Sequence, residues 1–363
     1  MPELYVGLMS GTSLDGVDAV LVDFGSDQMQ VVGHRHQAFA PALRAELLGL
    51  NHAGADELRR AARAGNALAR EYASLVIALL TQCSADAQSL KAIGCHGQTV
   101  RHQPADGYTI QLVNGSLLAE LTGMTVVCDF RSREIAAGGE GAPLVPAFHH
   151  AMFASPGMHR VIVNIGGIAN LTDLPPAATV TGFDCGPGNV LLDAWVQQHL
   201  KQPFDDNGAW ARTGRVIPGL LERLLDNDYF RRAPPKSTGR DAFNADWLAR
   251  HLSGSEEPPD VQATLLALTA SSIVEAIRKF CAGAQEVYVC GGGARNSALL
   301  ELLSSQLAPR KIAATDVLGV DAGHVEALAF AWLAKQTLQS RPGNLPAVTG
   351  ARGPRILGAI YPA

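Results

Sequence analysis

Residues 7–24 read GLMSGTSLDGVDAVLVDF. The apolar run Leu4 to Met9 stops at Ser10-Gly11-Thr12-Ser13, turns through Leu14-Asp15-Gly16 and resumes as Val17 to Phe24. Apolar runs joined by turn chemistry predict a β-hairpin. A further turn at Gly25-Ser26-Asp27 leads to Met29–Val32, so the chain opens as β structure. The stretch Ser10 to Asp18 also carries chemistry. Glycine lets a backbone approach phosphate closely, and hydroxyls and N–H groups donate to its oxygens. A plain polar turn accounts for the same residues equally well.

Working outward, residues 56–82 switch to a helical period, with Leu58, Ala62, Leu68, Tyr72, Leu75 and Leu79 on one stripe. A short strand, Ala92 to Cys95, precedes a polar loop, His96-Gly97-Gln98-Thr99. The opening pattern then returns. Arg160 to Ile165 ends in Gly166-Gly167, continues through Ile168 to Leu171, turns, and comes back at Ala178 to Phe183. Two halves that start alike predict a duplicated architecture. Later, Val261, Leu265, Leu268, Ser272, Ala276 and Phe280 form a second helical stripe, and His324 to Leu338 is alanine-rich and helix-favouring. Between them, Val287 to Cys290 leads into Gly291-Gly292-Gly293 and a helix from Asn296. Strand, glycine loop and helix N-terminus suit a nucleotide. They also suit a simple connection. Residues 201–241 read as surface loops and short helices. The tail after Ser340 keeps Ile356, Leu357, Ile360 and Tyr361, so it is expected to pack.

Asp184 ends an apolar run before Gly186-Pro187-Gly188. A carboxylate there can take a proton from a nucleophile, or it can cap the helix that starts near Val190. Glu326 opens the late helix, where the helix dipole favours a carboxylate. Length suits two domains. A net charge of −5 with no basic run argues against nucleic acid. The N-terminus lacks the pattern of a secretory signal, and no uninterrupted apolar run approaches the ~20 residues of a bilayer span. Six cysteines without a C-x-x-C pair predict reduced thiols and a cytoplasmic location. The histidines show no zinc spacing.

The order of these segments resembles the actin, sugar kinase and Hsp70 superfamily: phosphate hairpin, connecting helix, second hairpin, adenosine loop, connecting helix. The finer words are similar to those of the anhydro-N-acetylmuramic acid kinase family. They are GLMSGTSLDGVDAVLVDF, GCHGQTVRH, CDFRSREIAAGGEGAPLVPAFH, NIGGIANLT, FDCGPGNVLLDAW, PPKSTGRDAF, VCGGGARN and HVEALAFAWLA. The resemblance implies an α/β protein of two-domain actin/hexokinase-like (ribonuclease H-like) fold, with mixed sheets around a central cleft that closes on its substrates. Domain I is expected over 1–142 with the tail 341–363, and domain II over 143–340. The implied activity is an ATP- and Mg²⁺-dependent opening and phosphorylation of 1,6-anhydro-N-acetylmuramic acid, in cell-wall recycling and amino-sugar catabolism. A plain sugar kinase and a non-catalytic ATP-binding regulator are the alternatives; a homodimer is left open.

The implied catalytic residues are Asp184 and Glu326. Gly11, Thr12, Ser13, Leu14, Asp15, Gly16, Val17, Asp18, Asn164, Gly166, Gly167, Gly291, Gly292 and Gly293 would hold the nucleotide. Thr99, Asp129 and Arg131 would face the sugar. Met9 and Asn164 stand where the superfamily has or favours Asp, so Asp15, Asp18 or Asp184 would help hold the metal instead, and its ligands stay open.

Overall fold

The computed structural model describes residues 2–11, 13–26, 29–240 and 242–363. The chain divides into two units. Unit 1 holds residues 1–148, 324–346 and 350–363; unit 2 holds 149–323 and 347–349.

Unit 1 is built on β1 (Leu4–Met9), β2 (Gly16–Asp23), β3 (Gln30–Ala38), β4 (Leu90–Cys95), β7 (Val126–Cys128) and β13 (Ala359–Tyr361). Their order across the sheet is β13-β7-β4-β1-β2-β3. The first three strands form an antiparallel meander, while β4 and β7 add parallel to β1. A parallel neighbour requires a crossover, which helix α1 (Glu57–Gln82) supplies. Leu68, Tyr72, Leu75 and Leu79 of α1 join the core, but Leu58 and Ala62 of the expected stripe face solvent. Burial on this helix begins only at Ala64. The polar loop is also shorter than expected. Gln98 and Thr99 already belong to β5 (Gln98–Gln103), which pairs with β6 (Tyr108–Leu112) as a separate ribbon. The tail packs as expected, with β13 antiparallel to β7.

Unit 2 repeats the arrangement. Its strands are β8 (Arg160–Ile165), β9 (Ile168–Leu174), β10 (Thr181–Pro187), β11 (Glu286–Cys290) and β12 (Lys311–Ala314), ordered β10-β9-β8-β11-β12. Again three antiparallel strands are extended by two parallel ones. Helix α2 (Val190–Leu200) follows β10, helix α3 (Pro258–Phe280) crosses to β11, and helix α4 (Ser297–Leu307) crosses to β12. Counted along the chain, each meander-based sheet contains the order third, second, first, fourth, fifth. That is the ribonuclease H-like topology of the actin/hexokinase-like fold. Helix α3 is long and apolar enough to cross a membrane by length and composition, but most of it is buried inside this unit.

The unit bounds differ from the sequence reading at three places: residues 143–148 and 324–340 group with unit 1, and 347–349 with unit 2. Helix α5 (Val325–Leu338) groups with unit 1, not with the second domain. Gly7 on β1 and Gly94 on β4 explain why. A side chain at Gly7 would meet the Ala327 carbonyl oxygen at 1.8 Å, and one at Gly94 the Phe330 carbonyl oxygen at 2.0 Å. The two glycines form notches into which the helix backbone settles.

Candidate active site

The first loop, between β1 and β2, is held from outside. Ser10 Oγ shares a hydrogen bond with Tyr72 Oη at 2.9 Å and donates to the Gly97 carbonyl at 3.3 Å. Gln98 Nε2 donates to the Gly11 carbonyl at 3.1 Å, and Arg44 Nε to the Leu14 carbonyl at 3.0 Å. Leu14 adopts φ +56° and is buried, as is Val17. Those two side chains anchor the loop, so a ligand would meet their backbone only. Asp15 is exposed and accepts from Ser13 Oγ at 2.8 Å. Thr12 lies outside the described residues.

The two glycines of this loop differ. A side chain at Gly16 would strike the Gln37 carbonyl oxygen at 2.3 Å, so Gly16 serves the β2–β3 contact. At Gly11 the nearest atom would be Ser13 Oγ at 3.7 Å. That space is open, which is what a phosphate needs. Asp18 Oδ1 lies 3.1 Å from both His34 Nε2 and His36 Nδ1. Burial pushes its pKa up, but the hydrogen bonds and charges of the two histidines prevail and bring it down to about 2. The same contact raises His36.

The second loop, between β8 and β9, is tight. The Gly166 carbonyl accepts from Asn189 N, and the Gly167 carbonyl from Gly188 N and Val190 N. Asn164 is buried, and its Oδ1 accepts weakly from Cys290 Sγ at 3.8 Å. A side chain at Gly166 would have only the Ile168 carbonyl oxygen near it, at 3.7 Å.

The glycine loop after β11 follows the same division. Gly291 has φ +77° and crowds Asn164, and Gly293 crowds Ile165, whereas Gly292 is open, its nearest neighbour being Asn189 Nδ2 at 3.7 Å. A groove of about 410 Å³ beside it is lined by Ala294, Arg295, Ala314, Asp316, Asp321 and Ala322. Asn296 caps α4 by accepting from Leu299 N.

Asp184 lies on β10, opposite Asn170 at a bulge, and is buried. Its Oδ2 accepts from the Thr238 N–H at 2.9 Å. It is not a helix cap, because the strand runs on to Pro187 and Asn189 occupies the cap position of α2. Glu326 sits in the first turn of α5, in unit 1, so the two carboxylates belong to different units.

Each sugar-side candidate makes its own polar contacts in unit 1. Thr99 Oγ1 accepts from Gln111 Nε2. Asp129, at φ +57° and exposed, accepts from the Ser132 N–H and hydroxyl, which makes it a local cap. Arg131 donates through Nε and Nη2 to His96 Nε2 and through Nη1 to the Gly141 carbonyl. Burial first, then the Arg131 charge, hold His96 down to about 3, so it stays neutral and can accept. Fully buried Glu134 accepts from Gly141 N and Asn344 Nδ2. His96, Gln98 and Glu134 escaped the sequence reading. Their marks in the sequence are the polar loop His96–Thr99 and the family-like segments that hold all three, neither of which singles them out.

The whole chain, residues 3–363, matches the family described as anhydro-N-acetylmuramic acid kinase. A relative of that name from Nitrosomonas europaea is 57% identical over 361 residues, covering 99% of each chain. One from Nitrosospira multiformis is 56% identical over 361 residues, also covering 99% of each. Among solved structures, component A of the Acidaminococcus fermentans (R)-2-hydroxyglutaryl-CoA dehydratase aligns with TM-score 0.49 and 14% identity, over 91% of this chain and 96% of that one. A ROK family glucokinase from Streptomyces griseus, in complex with glucose and AMPPNP, aligns with TM-score 0.42 and 13% identity, over 92% and 99%. These are distant likenesses, and strand order carries the fold assignment.

Proposed function

The chain belongs to the anhydro-N-acetylmuramic acid kinase family, and from that premise we propose the following chemistry for its residues. Substrates are 1,6-anhydro-N-acetylmuramic acid, ATP and water; products are N-acetylmuramic acid 6-phosphate and ADP. Water attacks the anomeric carbon and loses its proton to Asp184. The bond from that carbon to O6 breaks, and O6 takes the γ-phosphoryl group. The observation that carries this reading is Asp184 itself. It is a buried carboxylate on a strand, held by a backbone N–H and freed from capping duty. A hydrogen bond of that kind favours the ionised form a general base requires. Glu326 binds the sugar or assists O6, and Thr99, Asp129 and Arg131 face the sugar.

The nucleotide is held by backbone. Gly11, Gly166 and Gly292 each leave a space that a side chain would fill. Residues 11–18, Asn164 and Gly167 complete the phosphate side, and Gly291 and Gly293 shape the adenosine side. Mg²⁺, when bound with the nucleotide, screens the phosphate charges. Asp15 is an exposed carboxylate in this loop, the hard oxygen donor Mg²⁺ takes, and would hold it. The enzyme works in the cytoplasm, in peptidoglycan recycling. A coupled ADP-release assay over anhydro and free amino sugars tests the proposal. ADP should form only when the anhydro sugar is present; turnover without sugar, or with free sugars alone, contradicts it.

A further inference from the structure

Lys236 and Thr238 have no assigned role in the sequence reading, yet hydrogen bonds tie both to Asp184, Lys236 through a closed circuit. Asp184 N donates to the Lys236 carbonyl at 3.3 Å. The Lys236 ammonium donates to the Tyr229 carbonyl at 3.1 Å. The Tyr229 hydroxyl donates to the Asp184 carbonyl at 2.7 Å. The Thr238 N–H then holds the carboxylate through Oδ2. Residue 184 is thus fixed at its N–H, its C=O and one carboxylate oxygen.

Lys236 is a costly residue for this position. It is 3% exposed, with Nζ 4.6 Å from the Tyr229 ring centroid and 5.5 Å from that of Phe183. Burial lowers its pKa, against the pull of Cys185 and Asp184. The aromatic faces offset part of the desolvation. Methionine would fill similar space with no charge to bury. The Lys236 ammonium ties the Tyr229 carbonyl, and the Tyr229 hydroxyl carries the circuit on to Asp184.

We propose that Lys236 is a positioning residue for Asp184: with Tyr229 and the Thr238 backbone it sets the direction of the carboxylate. This rests on the reading of Asp184 as general base. The other titratable or charged groups felt by Lys236 are Cys185 on β10, Arg232 after the Tyr229 helix, and Lys279 on α3. The Cys185 thiol is pushed up by burial and stays protonated.

The test compares Lys236→Met, Lys236→Arg, Tyr229→Phe and Asp184→Asn by melting, by kcat and KM, and by the pH profile of kcat/KM. Lys236→Met should lower kcat on the order of 10- to 100-fold, the scale of a misplaced catalytic group, with the KM for ATP little changed. Its acidic limb should move to higher pH, because the ionised carboxylate loses a favourable charge. Lys236→Arg should return the limb towards its original pH. Tyr229→Phe should lower kcat and leave the limb where it was. A folded Lys236→Met with wild-type kcat and limb overturns the proposal and leaves the lysine as packing. If Lys236→Met does not fold, wild-type kcat in Tyr229→Phe overturns it instead, and reduced kcat supports it. If Asp184→Asn stays active, the general-base reading fails and this inference with it. If Asp184→Asn is inactive while Lys236→Met is unaffected, only the positioning role fails.

Discussion

The first hairpin closes on the Met9–Asp18 pair, leaving a long turn, and the second on the Ile165–Ala169 pair, leaving a short one. Side chains from α1, β5 and the segment before α1 hold the long turn at its edges, leaving Gly11 open. The short turn is locked by the N-terminus of α2, whose N–H groups take both of its glycine carbonyls. One topology thus yields a long turn held by side chains of neighbouring elements in one unit and a short turn closed by helix N–H groups in the other. The short turn belongs to the sheet whose third strand carries Asp184. Under the proposed chemistry the base must be held in place, whereas the loop that receives phosphates must leave room.

The largest effect separates those roles at Asp184. Asp184→Asn keeps the shape and the hydrogen bond from Thr238 but cannot take a proton. Turnover should fall by roughly 10²–10⁴-fold, with melting and ATP binding near normal. Stopped-assay rates beside calorimetric titration would show it, and retained turnover would return the residue to a structural role.

Next comes the short turn. A methyl group at Gly188 would lie 2.3 Å from the Gly166 carbonyl oxygen, a backbone atom that cannot swing aside. Gly188→Ala should therefore destabilise by about 1–3 kcal/mol, as overpacking does, visible as a lower denaturant midpoint. The open loop should respond the other way. Gly11→Val should melt like the wild type but raise the KM for ATP on the order of 10-fold, since a Cβ there has Ser13 Oγ, at 3.7 Å, as its nearest neighbour among the described residues beyond the adjoining ones. An unchanged nucleotide dependence would make the loop a turn and nothing more.

Legibility followed the same division. Both hairpins, α1, α3 and the α5 helix could be read because apolar periodicity marks them. The length of β3 could not, because Gln30–Ala38 is an edge strand that buries almost nothing. Leu58 fits the period of α1 yet lies beyond the reach of the sheet. The unit to which α5 belongs is decided by the notches at Gly7 and Gly94, a tertiary fact with no local mark. At the site, glycine loops and Asp184 stood out by residue type. The Tyr229–Lys236–Thr238 circuit did not, since its members meet Asp184 only after the chain folds back.

The smallest effect is a pH response confined to the first hairpin. Asp18 is depressed to about 2, so its contribution is present above the unfolded carboxylate range of roughly 3.9 and is lost as pH falls towards 2. His36 is raised, so its share is complete below roughly 6.5 and is lost as pH rises through its folded value. The partly exposed pair is worth little. The melting difference between wild type and His36→Gln should be small at pH about 6 and shrink further by pH about 8.5. A difference that grows with pH would contradict the pairing.

The central claim is that water opens the anhydro bridge while O6 takes the phosphoryl group. Turnover of the wild-type enzyme in ¹⁸O-water, quenched early to limit anomeric exchange, tests it most directly. The account predicts label at the anomeric hydroxyl and none at O6; label at O6 would contradict it.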